Sequence, residues 1–289
     1  MRSQDWEVLK VLYENKNITK TGKQLFISQP ALTNRIKQIE KEFGIKIINR
    51  DRRGVQFTPQ GEYLAKSAEE MILKIRQIKE NLTNMESRVV GTINLGVSSF
   101  FTKYKLPQLL RSFKDKYPSV EFKVTTDWSK ELFHSLYKKD IHIAFVRGEY
   151  TWMEQKHLLF EDQLCVASRS EIDLQNLPDL PRINYKTDNL LKSVVDNWWI
   201  ENFTRPPMIT MEVDQVDTCK EMVVNGLGYA ILPGMILKGN EDIHKTFITD
   251  KENNPHTRKT WMLYHNESLE VNVINAFVTF ISSLDLHDI

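Results

Sequence analysis

Cysteine is scarce: Cys165 and Cys219 are the only two in 289 residues. Two isolated thiols make neither a disulfide framework nor a zinc site, and two small buried side chains are the expected reading. Long apolar runs are missing too. No stretch approaches the ~18 consecutive apolar residues that cross a bilayer. The opening residues, Met1-Arg2-Ser3-Gln4-Asp5-Trp6-Glu7, lack the apolar core of an export signal. Catalytic signatures are absent as well. The seven histidines are scattered, and neither His-Glu-x-x-His nor Gly-x-Ser-x-Gly occurs. These absences point away from an enzyme, a membrane protein and a secreted protein. They leave a soluble cytoplasmic chain with no metal and no cofactor, long enough for two or three domains.

What is present begins with charge. The whole chain carries only +1, but residues 1–60 hold 12 Lys/Arg against 6 Asp/Glu, a net of +6, which leaves −5 for the rest. A basic segment on a mildly acidic remainder suggests that only the N-terminal part meets a polyanion.

Helical periodicity supports this. Trp6, Leu9 and Leu12-Tyr13 share one face of a first helix. Asn17 can cap a second over residues 18–26. After a tight turn at Ile27, Ser28 caps a third, with Pro30 in its first turn and Gly44 at its end. That third helix turns Leu32, Ile36, Ile39 and Phe43 inward. Two helices joined by a short turn make a helix-turn-helix. Ser28, Gln29, Pro30, Ala31, Thr33, Asn34, Arg35 and Gln38 lie at the N-terminal end of the third helix, on its outward side. Short polar, amide and guanidinium groups there can bond base edges in a major groove and the phosphates beside it. Residues 45–50, the turn Asp51-Arg52-Arg53-Gly54 and Val55-Gln56-Phe57 read as a β-hairpin wing. Arg50, Arg52 and Arg53 would contact the DNA backbone or minor groove, setting position and affinity.

The string Leu25-Phe26-Ile27-Ser28-Gln29-Pro30-Ala31-Leu32-Thr33, followed by Ile39-Glu40, Phe43-Gly44, Arg50 and Thr58-Pro59-Gln60-Gly61, resembles the DNA-binding domain of LysR-type transcriptional regulators. The match spans about 60 residues in order and spacing. Thr21-Gly22 stands where the family usually has two alanines, and Ile47-Ile48 where Leu-Phe is usual. Gly22 keeps a tight helix contact open at the expense of helix propensity.

From Thr58 a long helix is expected. Leu64, Ala68, Met71, Ile75, Ile78, Leu82, Met85 and Val89 are spaced alternately four and three apart. A period of about 3.5 residues favours a partner helix over a helix packed on its own domain. A homodimer joined there would read a two-fold symmetric site. The resemblance implies the same helix and further pairing into a homotetramer. RNA polymerase is a further candidate partner.

After Gly91 the pattern changes to strands alternating with helices, an α/β signature. Strands are expected at 93–97, 120–125, 141–146, 164–168, 209–213, 230–232 and 260–265. The helices between and after them fall at 106–117, 130–139, 190–203, 219–225 and 271–284. Gly226-x-Gly228 followed by Pro233 lacks the third glycine and preceding strand of a dinucleotide fingerprint. The segment resembles the LysR effector-binding domain, two periplasmic-binding-protein-like α/β subdomains. The expected organisation is an all-α winged helix-turn-helix over 1–58, a linker helix over 59–91 and an effector domain over 92–289. Subdomain I takes 92–161 and 265–289, and subdomain II takes 162–264. The crossings fall near 160–164 and 264–266.

Ligands in open α/β folds bind at strand carboxyl ends and between lobes. Ser98, Ser99, Phe100 and Thr102 follow the first strand of this segment. Trp128-Ser129, Arg147 and Tyr185-Lys186-Thr187 lie at other strand ends, and Arg258 precedes the return strand. Two arginines among hydroxyls suit a polycarboxylate, since guanidinium grips carboxylate in a fork. A simple surface salt bridge for each arginine, and plain helix capping for the hydroxyls, remain the alternatives.

Asp214-Gln215-Val216-Asp217-Thr218-Cys219-Lys220-Glu221-Met222, with Arg258-Lys259-Thr260 and Arg147-Gly148, resembles the catabolite control protein C/E subgroup of LysR regulators. That resemblance implies citrate as effector and tricarboxylic acid cycle genes as targets. Another organic acid or an amino-acid-related anion is the alternative effector. A solute-binding protein or an α/β enzyme is the alternative class.

Overall fold

The computed structural model describes residues 1–51, 54–84 and 89–286. The chain forms two compact units, Met1–Ser87 and Arg88–Ile289.

The first unit holds α1 (Ser3–Asn15), α2 (Ile18–Gln24), α3 (Gln29–Phe43), a hairpin of β1 (Ile48–Asp51) and β2 (Gly54–Phe57), and α4 (Pro59–Asn84). The caps are local and chemical. The Asn17 side chain accepts the Lys20 N–H at 2.9 Å and starts α2. Ser28 accepts the Ala31 N–H at 3.4 Å and starts α3. Gly44 ends α3 at φ +65°, a conformation that glycine adopts freely. The second helix stops two residues short of expectation. Phe26 takes φ 56°, and the Ile27 N–H returns to the Gly22 carbonyl at 2.8 Å. A Cβ on Gly22 would lie 2.7 Å from the Ile27 carbonyl oxygen, so the small residue permits that turn. Val8, Leu9, Leu12, Leu32, Ile36 and Ile39 form the core with Leu64 and Ala68 of α4. Phe43 departs from its expected inward place: it is 42% exposed and meets the edge of Trp6. It is the last residue of α3, where the helix end reaches solvent.

The Thr58 hydroxyl accepts the Gly61 N–H at 2.9 Å and caps α4. The heptad seam along α4 divides in two. Leu64 and Ala68 are buried against the other helices of their own unit. Met71, Ile78 and Leu82, further along, are 39%, 49% and 59% exposed. Met85 lies outside the described residues.

The second unit runs β3 (Gly91–Ser98), α5 (Ser99–Tyr104), α6 (Leu106–Lys116), β4 (Val120–Asp127), α7 (Ser129–Tyr137) and β5 (Ile143–Arg147). It continues through β6 (Gln155–Ser168), β7 (Arg182–Tyr185), α8 (Asn189–Asn202), β8 (Ile209–Val213) and α9 (Val216–Val224). It closes with β9 (Ala230–Pro233), β10 (His244–Phe247), β11 (Thr257–Tyr264) and α10 (Asn272–Ser282). In the first lobe β3 pairs in parallel with β4 and β5, and β11 pairs antiparallel with β5 and β6. In the second lobe β6 pairs with β9 and β10, and β7 pairs with β8. This is the two-lobed α/β fold that the alternation of strands and helices implied.

One strand joins the lobes. Residues 155–163 of β6 pair with β11, and residues 164–168 pair with β9 and β10. A register shift lies opposite Thr260 and Trp261, where Phe160 and Leu158 are their partners and Leu159 is the extra residue. The change of partner falls between Gln163 and Leu164. All of β11 pairs with β5 or the first part of β6, so the chain is back in the first lobe by residue 257.

Candidate effector cleft and nucleic-acid interface

A cavity of about 280 Å³ opens at the carboxyl ends of the strands in the second unit, between its two lobes. Ser98, Ser99 and Phe100 reach it where β3 turns into α5. Trp128 and Ser129 reach it at the start of α7, Arg147 at the end of β5, and Tyr185 and Thr187 beyond β7. Arg258 enters from β11. Thr102 is not among the lining residues. Its hydroxyl donates to the Ser98 carbonyl at 3.1 Å, one turn back along α5. The sequence reading missed Asp127, Asp188 and Gln215, which also line the cavity. They too follow strands at the same ends, so the signal that found the others applies to them.

Arg147 is the centre of this site. Its side chain is buried, and Nη2 donates to Asp162 Oδ2 at 3.1 Å. Its backbone N–H donates to the Ser129 hydroxyl at 3.0 Å, which ties β5 to the start of α7. Its guanidinium carbon stands 3.8 Å from the centre of the Phe100 ring. Nε is buried without a partner, and so is the Ser98 hydroxyl. Burial and then the nearby Arg258 pull the Arg147 guanidinium down to about 9 from its ordinary 12.5, with Asp162 opposing. It is still charged at neutral pH. Asp162 in turn is raised by burial despite Arg147, and accepts the Met235 N–H at 3.0 Å through its other oxygen. Arg258 pairs with Asp188, whose second oxygen caps α8 through the Leu191 N–H at 3.0 Å. Each arginine therefore has one carboxylate, yet the two guanidinium groups still raise each other's potential. Unsatisfied donors in such a field favour a ligand rich in acceptor oxygens.

On the first unit, Ser28, Gln29, Pro30, Ala31 and Asn34 are exposed along the N-terminal half of α3, and Thr33 is half-buried. Arg35 is only partly exposed. Its Nε pairs with the buried Asp5 of α1, and Nη1 donates to Gln38 Oε1 at 3.2 Å. Asp5 also accepts the Arg2 N–H at 2.6 Å. Arg35 thus fastens the expected recognition helix to its neighbour, a role invisible in local pattern. Arg50 lies on β1 opposite Val55. Arg52 and Arg53 lie outside the described residues. Among the described residues no three His, Cys, Asp or Glu cluster as metal ligands, and no helix is long and apolar enough to cross a membrane.

Two family models match. Residues 3–62 match the bacterial regulatory helix-turn-helix protein, lysR family, and residues 86–284 match the LysR substrate binding domain. The HTH-type transcriptional regulator YraN of Bacillus subtilis (strain 168) is 38% identical over 281 residues, covering 97% of each chain. CysL of the same organism, also an HTH-type transcriptional regulator, is 27% identical over 96% of this chain and 97% of that one. Among solved structures, full-length CbnR complexed with its target DNA superposes with a TM-score of 0.65 at 17% identity, covering 97% and 99% of the two chains. The full-length Vibrio cholerae virulence activator AphB gives 0.61 at 16%, covering 99% and 100%. The functional class is that of regulators, not enzymes, and the chain belongs to the LysR family of DNA-binding transcriptional regulators with an effector-binding domain.

Proposed function

We propose that the chain binds promoter DNA as a homodimer paired through α4, with pairs of dimers forming a tetramer, and that a polycarboxylate in the cleft sets its output. Citrate is the effector we assign, and genes of the tricarboxylic acid cycle are the targets. The observation that carries the effector class is the convergence of Arg147 and Arg258 on one cavity with the unpartnered Ser98 hydroxyl. Two guanidinium groups suit two carboxylates, and the hydroxyls suit the oxygens between. Citrate itself rests on the resemblance of residues 214–222 to the catabolite control protein C/E subgroup. Asp127 and Asp188 in the lining favour a second reading, an amino-acid-related anion whose ammonium group they would receive.

On the DNA side, Ser28, Gln29, Thr33 and Asn34 read base edges, while Pro30 and Ala31 pack at the groove. Arg50, Arg52 and Arg53 hold the backbone, and Arg35 and Gln38 orient the helix. Closure of the lobes on the ligand changes the spacing of the DNA-binding units and the bend of the promoter, and RNA polymerase responds. Calorimetric titration with citrate, malate, glutamate and aspartate, paired with gel shifts on promoter fragments, tests this. Saturable citrate binding that alters the gel-shift pattern is expected. Binding confined to glutamate or aspartate transfers the assignment to the second reading, and binding of none of the four defeats both.

A further inference from the structure

A second cavity, of about 230 Å³, lies in the second lobe against β7 and α8. Its walls combine apolar Leu191, Val195 and Ile231 with charged Lys186, Lys192 and Asp196. Arg182 of β7 lines it and is only 8% exposed. Its Nε is buried with no hydrogen-bond partner. The guanidinium carbon stands 5.4 Å from the centre of the Trp199 ring. Asp196, the acidic side chain acting on it through space, is exposed and taken by Lys192 at 3.1 Å. The contrast with Arg147 is direct: that buried guanidinium holds Asp162 at 3.1 Å, whereas no ion pair to Arg182 occurs among the described residues. A buried cation without a carboxylate is among the costliest arrangements a core can hold. It is rational where an anion from outside supplies the missing charge.

We infer that this cavity is a second ligand site, taking a small monocarboxylate whose apolar body lies against Leu191, Val195 and Ile231 and whose carboxylate meets Arg182. Arg182 beside Leu191, Val195 and Ile231, with Lys186 and with Lys192 paired to Asp196 also in the lining, suits a carboxylate carried on an apolar body. Tyr185, Lys186 and Thr187 line both cavities and so form the partition between them. The site does not depend on the identity of the cleft ligand.

The probes are benzoate and hexanoate, titrated into the full-length chain and followed by calorimetry and by the shift in melting temperature. Saturable binding at one site per chain is expected for at least one of them. It should survive Arg147→Gln and weaken by at least about tenfold in Arg182→Met. Arg182→Met should also melt no lower than wild type without ligand, because an apolar side chain relieves an unpaired buried charge. A purely structural arginine would give the opposite, a clear fall in melting temperature. Val195→Phe keeps Arg182 and fills the cavity, so it should abolish binding even if Arg182→Met cannot be purified folded. Failure of wild type to bind either acid overturns the site, as does undiminished binding by Arg182→Met or by Val195→Phe.

Discussion

The guanidinium of Arg147 sits between the Phe100 ring, at 3.8 Å, and the Asp162 carboxylate, at 3.1 Å. The ring belongs to α5 of the first lobe, and the carboxylate lies near the crossing of β6, beside the Met235 N–H of the second lobe. Arg147→Ala should therefore do two separable things. It should remove the response of DNA binding to effector while leaving basal DNA affinity unchanged. It should also destabilise the effector unit by about 3 kcal/mol, because Asp162 is left buried and unpaired. Adding Asp162→Asn should recover much of that stability without restoring the response. Thermal melts and gel-shift dose responses on the three proteins check both parts.

Arg35 and Asn34 are neighbours on α3 with different expected phenotypes. Arg35→Ala should destabilise the DNA-binding unit by about 1–2 kcal/mol and so lower its melting temperature, since it strips the partner from buried Asp5. Asn34→Ala should leave the melt unchanged and reduce discrimination between promoter and non-specific duplex. Fluorescence anisotropy at several salt concentrations, beside a melt, separates the two effects.

Leu82 and Ile78 are exposed on α4 without cover from their own unit. Leu82→Lys should leave the helical content intact, because no packing is lost within the chain. In sedimentation velocity it should shift the protein strongly toward monomer, and affinity for a two-fold symmetric site should fall with it. A dimer unmoved by this change would place the pairing surface elsewhere.

Glu154 gives a pH test. Its carboxyl is held below the ordinary 4.5, first by the Asn266 N–H at 2.7 Å and then, against some burial, by His265. A carboxyl lowered in the folded state adds stability above the unfolded value, and that contribution is lost as pH falls through the folded value. Wild type should thus melt above Glu154→Gln at neutral pH. The gap should narrow as pH falls below the ordinary 4.5 and close once pH is below the lowered folded value.

The sequence was most legible where structure is local. Caps at Asn17, Ser28, Gly44 and Thr58 are single-residue chemistry, and each starts or stops a helix where it should. The cleft was legible because strand ends in this fold converge, whichever residues stand there. Long-range pairs were not legible. Nothing near Arg35 in sequence points to Asp5, and nothing near Arg147 points to Asp162. The first part of β6 escaped notice because Gln155, Lys156 and His157 break the apolar alternation of a strand. They need not alternate, since backbone pairing with β11 holds the strand whatever side chains it carries. Arg182 escaped for the inverse reason: a charged residue at a strand start reads as surface, and only packing shows it is inside.

The unbroken run of β6 bears on how strongly a ligand can drive this molecule. Its ladder extends from Gln155 opposite Tyr264 to Ser168 opposite His244 without an intervening loop. Any rotation of one lobe on the other would therefore have to twist this strand, because its two halves share one run of backbone. That twist would concentrate at Leu159, the extra residue that interrupts the ladder.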